Sequence, residues 1–291
     1  MEESKLPGET VERLLKCQRR GVCAAGTAEI CGVNIKSVHR FQEVAAKRSE
    51  THHHQVVVVV DLCVEGVQMD EAHSKRRPNK VEWIHSALAM GSLFVLFVGF
   101  DPRTTETAGS LIAQVVARLC FIPMFLTDGW KTYPRALIQV FGRVYRLRRK
   151  GKVGTTVQTT FMERWYGTLR GWVAPLRRRT RCLSWSQVRH YGRIWLIVSL
   201  YNFVIPHKSL GKGWTKRTPA MAIGLTHHVW SYLDYIWLPV HYDEILQKKM
   251  DQRIQKLLTP AHPDAIIEIN PAKSPHKRTK KKRAKPLKIA A

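Results

Sequence analysis

The run HHHQVVVVVDLCVEGVQMDEAHSK, residues 52–75, holds four acids, Asp61, Glu65, Asp70 and Glu71, along two apolar segments that both read as strand. Aspartate is depleted in strands, because its short polar side chain competes with the ladder for backbone hydrogen bonds. An acid at such a place needs a reason. Side chains alternate along a strand, so Asp70 and Glu71 point to opposite faces; Gln68 shares a face with Asp70, and Val67 and Met69 share one with Glu71. Periodicity alone leaves open which of the four does chemistry.

Working outward, GVQMDEAH reads as a first strand, VEWIHSALAM as a second and SLFVLFVGF as a third. The links SKRRPNK and MGS are short enough for hairpins, so the three form an antiparallel meander. The stretch TTETAGSLIAQVVARL follows as a helix capped at Thr104 or Thr105, with Glu106 in its first turn. Next come a short strand, FIPMFLTD, and a turn and helix, GWKTYPRALIQVF. A right-handed helical crossover returns a fourth strand parallel to the third and hence to the first. If it pairs with the first, Asp128 at its end lies beside the acids of the first strand. The valine run 56–60 is expected as a buried strand or a segment leading into that site.

Charge narrows the partners. The chain of 291 residues carries 48 Lys+Arg against 22 Asp+Glu, a formal +26 that calls for a polyanion, with nucleic acid first and an anionic membrane surface second. From Thr107 to Leu233 only two acids occur, Asp128 and Glu163. Glu163 lies in TTFMERWYGTLRGWVAP, a helix ended by Pro175 whose apolar stripe reads as Phe161, Trp165, Leu169 and Trp172. Glu163, Gly167 and Arg170 fall on the opposite side. Three converging carboxylates would repel one another unless cations sat between them, and paired Mg²⁺ ions on such oxygens serve phosphoryl transfer.

The six cysteines form no CxxC pair and read as a reduced interior without a disulfide framework. The charge-free run from Trp83 to Phe100 breaks at MGS into two strand-like halves, which argues against a membrane span. Near the start, GTAEICGVNIKSVHRFQEVAAKR has the spacing of a helix-turn-helix: small Ala28, Gly32 at the turn, then Val38 and Phe41 facing inward. Lys36, Ser37, His39 and Arg40 would then face DNA. A polar joint, KRSETHHHQ, leads from this unit into the rest. The expected division is a helix-turn-helix unit at 1–50, a second domain at 55–245 and a basic disordered tail at 246–291 that ends PHKRTKKKRAKPLKIAA.

Four segments in order, VQMDEAH, FLTDGWKTYP, MERWYGTLR and YNFVIPHKSL followed by TPAMAIGL, resemble the DDE transposases of bacterial insertion sequences. Between Asp70 and Asp128 lie 57 residues and between Asp128 and Glu163 another 34, close to that family's acid triad. The resemblance covers about residues 26 to 225 and implies an α/β fold: an RNase H-like mixed sheet, a three-strand antiparallel meander plus parallel strands flanked by helices, with an N-terminal helix-turn-helix domain. It implies that Asp70, Asp128 and Glu163 are catalytic and bind two Mg²⁺, with Mn²⁺ as the substitute ion. Water would cut the element's end, and the freed 3′-OH would attack target DNA. It also implies Arg170 as a DNA contact, which Lys131 and Arg164 are expected to join, and assembly as a homo-oligomer on double-stranded DNA; the expected place is nucleoid-associated in the cytoplasm without stable membrane attachment. Among the four opening acids the match selects Asp70, and leaves Asp61 and Glu65 structural or solvated. The family's cysteine-rich zinc segment has no counterpart here, since Cys17 and Cys23 do not supply four ligands. The alternative is a catalytically inactive DNA-binding protein, either a decayed transposase or a repressor.

Overall fold

The computed structural model describes residues 6–76, 80–127, 130–142, 160–177, 182–211 and 215–237, with 248, 251–252 and 254–255. Three helices lead: α1 (Gly8–Arg19), α2 (Ala24–Cys31) and α3 (Ile35–Val60). Gly32 ends α2 at φ 66°, a conformation that costs glycine nothing, and the Asn34 side chain caps α3 by accepting from the Lys36 N–H at 2.8 Å. The expected helix, tight turn and helix are therefore present, with Val38 and Phe41 buried.

Beyond that turn α3 departs from expectation. It runs unbroken through KRSETHHHQVVVVV, so the polar joint and the valine run, expected as a buried strand or a segment leading into the site, are one helix. The reason is a buried stripe of Val38, Phe41, Gln42, Ala45, Ala46, Ser49, His52, His53 and Val57, spaced by three or four residues along one helix face. Packing of that stripe overrides the strand preference of the valines. Asp61 closes the helix in the left-handed region, at φ 44°.

Among the described residues four strands make one sheet: β1 (Gly66–Arg76), β2 (Lys80–Ala89), β3 (Val95–Asp101) and β4 (Met124–Thr127). The order is β3-β2-β1-β4, antiparallel across the first two pairs and parallel between β1 and β4. This is the meander and parallel return read from the sequence. The return is made by α4 (Thr105–Val116), whose Thr104 cap accepts from the Thr107 N–H. The charge-free run 83–100 is most of β2, its turn and β3, and no helix among the described residues is long and apolar enough to cross a membrane.

Helices cover both faces of the sheet. On one side α4 packs against α5 (Thr132–Phe141), above Val67, Met69 and Glu71. On the other lie α6 (Thr160–Trp172) and α7 (Gln187–Ser199), the latter packed along α3. A π-helical turn (Leu200–Val204) and the short helices α8 (Pro219–Ala222) and α9 (Tyr232–Trp237) follow. One buried cluster runs through all of these layers, from Val11 to Ile236. Most of the expected tail at 246–291 lies outside the described residues.

The core stripe of α6 is rotated from its expected position. Met162, Trp165, Tyr166 and Leu169 are buried, whereas Phe161 and Trp172 only lean on the core. Tyr166 can sink fully because the sheet offers its hydroxyl carbonyl acceptors.

Candidate functional site

At the middle of β1 the two neighbouring acids meet different surroundings. Glu71 points to the α5 side, where its carboxylate accepts from the Tyr133 hydroxyl at 3.0 Å and pairs with Arg103. Only 1% of the Glu71 side chain remains exposed. The Arg103 guanidinium is clamped between the rings of Trp83 and Trp130, 4.9 and 4.5 Å from their centroids. Burial first, then the charge of Glu71, pushes the Tyr133 phenol far above its ordinary range, so it stays a donor. This carboxylate is built into the fold.

Asp70 sits on the opposite face, across from Ser86 in the β1–β2 register. One of its oxygens accepts from the Glu71 N–H at 2.8 Å, and its backbone carbonyl accepts from the Tyr166 hydroxyl at 2.6 Å. The same hydroxyl reaches the Ile84 carbonyl at 3.1 Å, and the Trp165 indole donates to the Ser86 hydroxyl at 3.2 Å. These bonds rivet α6 to β1 and β2. Tyr166 is held protonated by burial and then by the Asp70 charge.

Glu163 lies three residues before Tyr166 on α6, about 4.5 Å nearer the start of the helix. It is exposed, and Gly167 beside it leaves open space, with no atom within 4 Å of where a side chain would start. Arg170, half-buried in the last turn, lies on the same side and is near enough to act on Tyr166. Arg164 is exposed and acts on Tyr201 and His207, while Lys131 is exposed just before α5. Met69 pairs with Thr127 in the last register step of β1 and β4, and Asp70 is the next residue of β1. Asp128 follows Thr127 in the chain and lies outside the described residues. Among the described residues no three acids, histidines or cysteines are grouped to hold a metal ion. The donor set that Asp70 and Glu163 offer is hard oxygen, which suits Mg²⁺ or Mn²⁺ and not a thiolate metal.

The expected DNA-facing residues of α3 divide. Lys36 and Arg40 are exposed on one side, and Ser37 is half-buried. His39 is turned toward α7, where burial and then Arg189 and Arg193 lower its pKa. Arg189 pairs with Glu43 at 3.2 Å, and Arg193 donates to Gln42 at 3.1 Å. The spacing of QVRHYGRIW puts both arginines on one side of a helix, but nothing local names α3 as the partner.

The segment YNFVIPHKSL acts through the backbone. Asn202 in the π-helical turn accepts from the Val95 N–H and donates to the Val95 carbonyl, both at 3.0 Å, and the His53 ring lies 2.8 Å from that carbonyl. A side-chain amide thus pairs with β3 as another strand would. Tyr201 stacks edge-on with Trp165 and His207, at 4.9 and 4.3 Å between ring centroids, which ties this turn to α6. Tyr133, Arg103, Tyr166 and Asn202 make these bonds without having been singled out in the sequence, and Trp165, read there only as part of an apolar stripe, also donates a hydrogen bond. No protein-family model matches the chain, and no curated protein matches its sequence.

Proposed function

We propose that the chain is a DDE-type DNA transposase with an RNase H-like catalytic core, which binds the ends of an insertion sequence and cuts and transfers strands in Mg²⁺-dependent phosphoryl transfer. The observation that carries this reading is the junction of β1, β4 and α6. The last β1–β4 pair, Met69 with Thr127, is followed in each strand's sequence by one acid of the proposed triad, Asp70 and Asp128. The helix bearing the third acid, Glu163, is bonded through Tyr166 to the carbonyl of Asp70 itself.

In this reading Asp70, Asp128 and Glu163 hold two metal ions. Mg²⁺ bound there supplies the Lewis acidity that activates one oxygen and steadies another in phosphoryl transfer. The protein's own part is to hold geometry. Tyr166 and Trp165 fix α6 on the sheet, so that the carboxylates are in position before DNA arrives. Lys131, Arg164 and Arg170 neutralise phosphates around the scissile bond. Lys36 and Arg40, the exposed pair on α3, grip the terminal repeat as the second helix of a helix-turn-helix, while His39 turns toward α7. The basic tail adds contacts to the DNA backbone, and the chains act as a homo-oligomer on DNA, nucleoid-associated in the cytoplasm.

The test uses the DNA that flanks the gene as substrate. Purified protein with Mg²⁺ should nick it at a discrete end, EDTA should stop the reaction, and Asp128→Asn should remove cleavage while binding persists. Retention of the DNA by the wild type without any cleavage would instead mark a DNA-binding protein that has lost catalysis.

A further inference from the structure

We propose that Cys63 and Cys120 form a reversible disulfide that clamps together the chain segments leading into β1 and β4. The two residues lie 57 positions apart in sequence, yet the segments that carry them run side by side. Leu62 and Leu119 form an isolated parallel bridge, in which the Leu62 N–H donates to the Arg118 carbonyl at 3.0 Å and the Cys120 N–H donates to the Leu62 carbonyl at 3.1 Å. Further along, the Met124 N–H donates to the Glu65 carbonyl at 2.8 Å, just before the β1–β4 ladder begins. Cys63 and Cys120 each follow one member of the bridge, so they are held between two fixed points.

Neighbouring strands stand roughly 4.8 Å apart, inside the Cα separation of about 4.4 to 6.8 Å that a disulfide accepts. The Cys63 and Cys120 thiols act on each other electrostatically, and both residues are exposed to water. That interaction, the largest of the causes acting on it, raises the Cys120 pKa, so closure should quicken as the pH rises. The other adjoining pair differs: Cys17 and Cys31 touch each other but are both buried, out of reach of a dissolved oxidant.

The oxidant is a low-molecular-weight disulfide such as oxidised glutathione. One protein thiolate attacks it, forming a mixed disulfide and releasing one reduced thiol. The second thiolate then attacks the protein-side sulfur, closing the Cys63–Cys120 bond and releasing the other reduced thiol. Two protein thiols are oxidised, one small disulfide is reduced, and the two thiol protons end on the released molecules. The inference stands independently of the DNA-cleavage reading.

The test treats the native full chain with oxidised glutathione, alkylates the remaining thiols, and digests it with trypsin without reduction. A cross-linked peptide joining residues 49–75 to 119–131 should appear within a single copy of the chain. Dithiothreitol should abolish it, as should Cys63→Ser or Cys120→Ser, both at exposed positions. Separate glutathione adducts on the two cysteines, a link between two copies, or a Cys17–Cys31 link in place of this one would each overturn the proposal.

Discussion

The two faces of β1 handle adjacent carboxylates in opposite ways. On the α5 face, Glu71 is enclosed by Tyr133 and an Arg103 that two tryptophans hold in place. On the α6 face, Tyr166 and Trp165 donate to the Asp70 backbone carbonyl and the Ser86 hydroxyl, an Asp70 oxygen accepts from the Glu71 N–H, and Glu163, on the same helix as Tyr166, is exposed. Glu71 is built into the scaffold, and the proposed function assigns the chemistry to Asp70 instead. Sequence position separates the two by one residue, and only alternation along the strand makes them different.

Acid should separate the two sides most strongly. Behind the Asp70 face lie three buried neutral histidines: burial, then Arg48, lowers His52 to about 4; burial lowers His53 to about 3; and burial lowers His190, paired with Ser74, to about 4. Their unfolded counterparts titrate near 6.5, so the unfolded chain binds more protons below that pH and stability falls as pH drops from about 6.5 toward 4. His52 alone accounts for about 3 kcal/mol by pH 4. Urea unfolding followed from pH 7.5 to 4 should show the midpoint dropping throughout this window. A level midpoint would mean these histidines are not buried and neutral.

Smaller effects sharpen the contrast. Glu71→Gln leaves Arg103 without its ion-pair partner; because Arg103 is 35% exposed, the loss is discounted to about 2 kcal/mol, read as a lower urea midpoint. Tyr166→Phe takes a donor from the Asp70 and Ile84 carbonyls and should lower stability by about 1 to 2 kcal/mol. It should also slow cleavage beyond what that loss of folded protein explains, because α6 would no longer be held to β1. An unchanged rate would make Tyr166 a stability residue only.

The strand order was legible in the sequence because hairpins shorter than ten residues join segments of strand composition, and one capped helix of fitting length returns the chain to β4. The opposite facing of Asp70 and Glu71 was legible for the same reason. What was not legible came from tertiary contacts. Tyr133 and Glu71 are 62 residues apart, and Tyr166 and Asp70 are 96 apart, so no local pattern announces either bond. The valines at 56–60 misled because five β-branched residues in a row look like strand, while the deciding signal was the helical spacing of Ser49, His52, His53 and Val57. The α6 stripe was misplaced because Tyr166 was left out of it, although the sheet has carbonyl acceptors for its hydroxyl.

The most direct measurement sets Asp70→Asn beside Glu71→Gln in one DNA-cleavage assay with Mg²⁺, with the folded fraction of each variant matched by urea titration. The account predicts that Asp70→Asn cuts at least about a thousandfold more slowly than the wild type, the scale of losing several kcal/mol of transition-state stabilisation, while Glu71→Gln cuts at close to the wild-type rate per folded molecule. Full activity in Asp70→Asn, or loss of activity in Glu71→Gln alone, would contradict it.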